Sequence, residues 1–79
     1  MARVLLFGRL SDVAGWRARE VESPSVHALR DLLGAEDARL GEALAAPGVQ
    51  IALDQAIVRG DAALSLRSEV AFLPPMSGG

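Results

Sequence analysis

The chain has 79 residues, of which 51% are hydrophobic and 23% charged, with a formal net charge of −2 and no cysteine. A chain of this length supports one compact domain with a small core and leaves no room for a deep enclosed pocket. Without cysteine there is no disulfide framework, thiolate zinc site, iron–sulfur cluster or cysteine nucleophile. The single histidine, His27, removes multi-histidine metal sites, and a mildly acidic chain whose aromatics are Phe7, Trp16 and Phe72 lacks the field that nucleic-acid binding requires. No apolar run approaches the roughly 18 residues of a membrane span, and the chain does not open on a signal-peptide pattern. The expectation is a cytoplasmic protein that binds neither nucleic acid nor membrane and holds no metal.

Taken in chain order, the first element is Arg3-Val4-Leu5-Leu6-Phe7, with four consecutive apolar residues ended by Gly8. Such a run predicts a central strand covered on both faces, although a buried helix start shares the pattern. Gly8 to Gly15 has room for a helical turn or a loose hairpin connection. Trp16 to Val21 carries Arg17 and Arg19 at alternate positions and predicts an edge strand with a solvated arginine face, with Trp16 half-buried. Ser23-Pro24-Ser25 marks a boundary at which Ser25 caps a helix. Val26, Leu29, Leu32 and Leu33 recur at helical spacing, so the helix is expected over 26–34 with Gly34 closing it. His27, in its first turn, is expected to face solvent. A second helix is expected to follow with Glu36 and Asp37 in its first turn and to stop before Pro47-Gly48.

Alternation of Val49, Ile51 and Leu53 with Gln50 and Ala52 predicts a strand, and Asp54-Gln55 turns the chain into a short strand, Ala56-Ile57-Val58. Arg59-Gly60-Asp61 is expected to be a plain turn. Glu69-Val70-Ala71-Phe72-Leu73 predicts a final central strand, ended by Pro74-Pro75 because neither proline can donate to a ladder. First and last strands that are both central are expected to be parallel neighbours. The fold class is therefore α+β, a ubiquitin-like β-grasp: a mixed sheet over residues 1–73 with helices on one face, followed by a flexible tail over 74–79.

The tail, Pro74-Pro75-Met76-Ser77-Gly78-Gly79, combines a stiff root with a slim tip. Prolines favour an extended path, and six residues at about 3.3 Å each reach roughly 20 Å. Gly78 and Gly79 have no Cβ and fit a narrow channel. The reactive group would be the α-carboxylate of Gly79, which needs activation before any acyl chemistry. Gly8 to Gly15 contains no phosphate-binding motif, so another protein must activate it. Paired acid–base catalysis finds no support, because Glu36, Asp37 and Glu42 do not converge.

A β-grasp order closing on Pro-Pro-Met-Ser-Gly-Gly resembles the MoaD family of sulfur carriers, the small subunits of molybdopterin synthase. The opening Val4-Leu5-Leu6-Phe7-Gly8 and the helix start Ser25-Val26-His27-Ala28-Leu29-Arg30 extend that resemblance over the whole chain. It implies a cycle. An ATP-consuming adenylyltransferase resembling ubiquitin-activating enzymes adenylates Gly79, and a sulfur donor protein converts it to a thiocarboxylate. The tail then donates sulfur to cyclic pyranopterin monophosphate in the large synthase subunit. The resemblance implies a heterotetramer of two large and two small subunits, catalytic residues on the large subunit, and no cofactor bound by this chain. Matching positions assign Phe7, Ile57 and Leu73 to an apolar docking patch, with Leu73 replacing a residue that is often aromatic. Pro74, Pro75 and Met76 are expected to bind the partner, Met76 in its channel, and Gly78 to give the tail access. The family's glycine-containing turn before the last strand is replaced here by Leu66-Arg67-Ser68-Glu69. The neighbouring alternatives are a ubiquitin-like modifier, or a sulfur carrier for thiamine synthesis or tRNA thiolation.

Overall fold

The computed structural model describes residues 1–75. Its elements in order are β1 (Ala2–Leu6), α1 (Arg9–Ala14), β2 (Ala18–Val21), α2 (Val26–Glu36), α3 (Ala38–Leu44), β3 (Gln50–Leu53), β4 (Ala56–Val58) and β5 (Glu69–Leu73). They form one mixed sheet in the order β2-β1-β5-β3-β4. β1 and β5 run parallel, while β1–β2, β3–β4 and β3–β5 are antiparallel. The expected α+β grasp, with first and last strands as parallel neighbours, is what the chain forms.

Sequence accounts for most of the local detail. Ser25 is extended and its side chain accepts the Ala28 amide, capping α2. Asp54 and Gln55 both have positive φ, 50° and 70°, the requirement of a two-residue hairpin that follows strand twist. The turn before β5 dispenses with glycine by using serine side chains. Ser68 is buried, its hydroxyl accepts the Ser65 amide at 2.8 Å, and its carbonyl accepts the Arg3 amide at 2.8 Å. Asp54 completes the junction by accepting the Glu69 amide at 2.9 Å.

Four expectations need correction. β2 begins at Ala18 rather than Trp16, because Gly15, at φ 82°, ends α1 and redirects the chain. Trp16 instead packs half-buried against the core with the Arg19 guanidinium 5.5 Å from its ring centroid. Arg19 is not simply solvated: it makes a bidentate pair with Glu36 at 2.8 and 2.9 Å, which ties β2 to α2 and lowers the Glu36 pKa. Gly34 does not close α2, which continues to Glu36, and Asp37 lies outside either helix as the cap of α3, accepting the Arg39 and Leu40 amides. Finally, β1 is not covered on both faces.

That last point follows from where the core sits. Val4 and Leu6 of β1 and Val70 and Phe72 of β5 join Leu10 of α1, Leu29 and Leu33 of α2, and Leu40 and Leu44 of α3 in one buried cluster. All come from the helix side of the sheet, and the alternate residues of the strands point the other way. Among the described residues no element covers that second face.

Gly34 has a different role from the expected one. A β-carbon at Gly41 would lie 2.7 Å from Gly34 Cα, and one at Gly34 would lie 3.3 Å from Gly41 Cα. The pair lets the backbones of α2 and α3 touch. Ala normally stabilises a helix interior by about 1 kcal/mol over Gly. Gly41→Ala is nevertheless expected to lower the unfolding free energy, by about 1–3 kcal/mol for overpacking, and to do so more than Gly34→Ala. Denaturant unfolding measures both, and stabilisation by Gly41→Ala would disprove the backbone contact.

Candidate functional site

Register places an apolar row across the uncovered face. Leu5 pairs with Ala18 on one side and Ala71 on the other, Ala71 pairs with Ala52, and Ala52 pairs with Ile57. Cross-strand partners share a face, so Ala18, Leu5, Ala71, Ala52 and Ile57 form a continuous band across five strands, about 19 Å long at about 4.8 Å per step. Phe7 and Leu73, two residues beyond Leu5 and Ala71, widen the band at the end where β5 leads to the tail. Phe7 is 46% exposed and Ile57 47%, although each is large and apolar. Phe7, Leu5 and Ala18 line one shallow depression rimmed by Ser11, Asp12 and Arg17.

The face changes character away from the tail. Arg3 pairs with Glu20 on one side and Glu69 on the other, giving a charged row parallel to the apolar band. Charge therefore bounds the patch at one end, and Pro74-Pro75 follow β5 at the other.

The structure thus brings together three of the residues picked from sequence: Phe7 and Ile57 exposed, and Leu73 half-buried on the same face. Pro74 is half-buried and Pro75 exposed at the root of the tail. Met76, Gly78 and Gly79 lie outside the described residues. Sequence reasoning missed Leu5, Ala18, Ala52 and Ala71, because a run such as Val4-Leu5-Leu6 does not tell which residues face helices and which face nothing. The available signal was register, which the alternation in β3 and the Asp54-Gln55 turn nearly specify.

The remaining candidate side chains do other work. The His27 amide donates to Asp61 Oδ1 at 2.9 Å, and this bond, with the Ala62 amide, holds the Asp61 carboxyl below its ordinary pKa. Asp61 therefore pins the connection between β4 and β5 to the start of α2, so Arg59-Gly60-Asp61 is a structural turn. A second apolar groove, lined by Met1, Pro24, Leu64 and Leu66, lies with the start of the chain, where Leu66 is 79% exposed.

The ThiS family matches residues 4–79 of the chain. The molybdopterin synthase sulfur carrier subunit of Escherichia coli (strain K12) is 37% identical over 81 aligned positions that span all of both chains. Among solved structures, small archaeal modifier protein 1 of Methanosarcina acetivorans superposes with a TM-score of 0.88 at 20% identity, covering 99% of this chain and 95% of that one. A candidate molybdopterin converting factor subunit 1 of Pyrococcus furiosus gives 0.80 at 25% identity, covering 95% and 97%. The archaeal modifier likeness, at its low identity, establishes the β-grasp fold and nothing about activity.

A surface kept for contact contributes little to folding. Phe7→Ser and Ile57→Ser are each expected to change the unfolding free energy by less than about 1 kcal/mol, against about 3–5 kcal/mol lost in Phe72→Ala. Urea unfolding of the three variants checks this, and a large loss from Phe7→Ser would return Phe7 to the core.

Proposed function

The chain belongs to the ThiS family, and on that premise we propose that it is the sulfur-carrier small subunit of a molybdopterin synthase. The observation that carries this reading is the bare apolar band, which runs to the root of a segment ending Gly78-Gly79. Full-length likeness to the Escherichia coli sulfur carrier subunit supports the choice of pathway. Likeness to archaeal modifiers is of fold alone and does not favour conjugation.

The chemistry resides at Gly79. In the first step a carboxylate oxygen attacks the α-phosphorus of ATP on an adenylyltransferase, and the bond to pyrophosphate breaks. This makes the carbonyl electrophilic, since AMP is a far better leaving group than oxide. Hydrosulfide released by a donor protein then adds to the carbonyl carbon, expels AMP and loses its proton, leaving a thiocarboxylate. Docked on the large subunit, the tail donates that sulfur to cyclic pyranopterin monophosphate, and water restores the carboxylate. Two transfers complete the dithiolene. ATP is consumed by the activating enzyme, and the carrier works in the cytoplasm where that enzyme and its nucleotide are found.

Residues of this chain supply position and access. Phe7, Ile57 and Leu73 dock on the large subunit, in a heterotetramer of two large and two small subunits. Pro74, Pro75 and Met76 lead into the partner's channel, and Gly78, lacking a Cβ, passes its narrowest part. All eight basic residues are arginine. No lysine of the carrier can therefore capture its own activated terminus, which protects the adenylate for sulfur.

Incubating the full chain with an adenylyltransferase of this class, ATP and hydrosulfide is expected to raise its intact mass by the exchange of one oxygen for sulfur. Deletion of Gly79 is expected to abolish the change. An unchanged mass under conditions that charge a control carrier, or full synthase activity without Gly79, would overturn the reading.

A further inference from the structure

Pro74 and Pro75 continue the path of β5 past its last ladder pairs. Leu6 faces Phe72 in the parallel ladder, so two residues further along the same register Gly8 falls opposite Pro74. Gln50 faces Leu73 in the antiparallel ladder, and two residues on Gly48 falls opposite Pro75. Neither proline has an N–H with which to extend a ladder. On both sides the flanking backbone has turned away through a left-handed glycine, Gly8 at φ 56° and Gly48 at φ 89°.

The rings fill the space those turns leave. A β-carbon at Gly8 would stand 3.2 Å from Pro74 Cγ, and one at Gly48 would stand 3.0 Å from Pro75 Cβ and 3.4 Å from its Cγ. Carbon atoms rest about 3.5–4.0 Å apart, so at both positions glycine is favoured by its φ, and an added β-carbon would press the proline ring out of its place. By contrast, Gly15 has φ 82° with nothing within 4 Å of an added β-carbon. Left-handed glycine is thus used here for the turn alone at one place and for the turn plus a close approach at two.

We propose that Gly8 and Gly48 are positioning residues that seat Pro74 and Pro75 and so fix the line along which the chain leaves the sheet. The proposal rests on the carrier reading, for which it names the parts that aim Gly79 at a partner's nucleotide. Proline restricts its own φ but leaves ψ free, and lateral contact on both sides of β5 supplies the missing restraint. The segment that enters a partner then begins after Pro75 rather than after Leu73. Its origin is built into the centre of the sheet, where β5 ends. Ordering that origin beforehand removes its entropy from the docking step.

The test compares the full-length wild type with Gly48→Ala and Gly15→Ala, two sites of similar positive φ, 89° and 82°. Thiocarboxylate formation is followed by intact mass with the adenylyltransferase, ATP and hydrosulfide while carrier concentration is varied, and thermal unfolding is recorded in parallel. Both variants are expected to melt below wild type. Only Gly48→Ala is expected to lose kcat, by about 10- to 100-fold, the scale of a misplacement of about 1 Å, with KM little changed because the rest of the folded surface is intact. Equal kcat in the two variants would overturn the positioning role. NOEs between Gly48 α-protons and Pro75 β-protons in the wild type test the seat without any substitution, so their absence would overturn it even if Gly48→Ala did not fold. A wild type that is never charged would overturn the carrier reading and the positioning role together while leaving those NOEs in place; the two failures are therefore distinguishable.

Discussion

Strand β5 is held on both sides, in parallel by β1 and antiparallel by β3, and the other elements take their places from it. Parallel pairing of the first and last strands requires the chain between them to cross over the sheet, and that crossing carries the helices to one face. Phe72, fully buried at the centre of β5, packs in the cluster that includes residues of all three helices. Seventy-nine residues supply enough helix to cover one face of five strands and no more. Among the described residues no element covers the opposite face, and its central residues are still those of a buried strand.

A bare face of that kind represents free energy not yet realised. Covering apolar surface is worth about 25 cal/mol per Å², and contiguous exposed patches on small proteins mark contact sites. Here the patch has direction: its apolar band lies toward the tail, and the charged row of Arg3, Glu20 and Glu69 lies at the other end. A partner that covers the band is brought beside the point where the chain leaves the sheet. On the proposed carrier reading, docking and delivery are one geometric event served by the same central strand.

Much of this was legible in the sequence. The Ser25 cap, the Asp54-Gln55 turn, the proline stop after Leu73 and the parallel neighbours β1 and β5 all follow from local chemistry or from counting apolar runs. Two of the errors share a cause, which is that tertiary contact overrides a local signal. Gly34 looks like a helix terminator until Gly41 is brought against it from another helix. Arg19 looks solvated until Glu36 arrives from a residue 17 positions away. Leu5 and Leu6 look equivalent, and only register separates the one that faces helices from the one that faces outward. Phe7, Ile57 and Leu73 were picked through family resemblance, and hydrophobicity alone would have placed Phe7 and Leu73 in the core.

The central claim is that the uncovered sheet face is the surface a synthase large subunit occupies. Titrating isotope-labelled full-length chain with that subunit and following its amide and methyl resonances tests this most directly. Shifts are expected to concentrate on Leu5, Phe7, Ile57, Leu73 and the prolines beyond, leaving the outer surfaces of α2 and α3 undisturbed. Shifts confined to the helix side, with the apolar band unchanged, would contradict the claim.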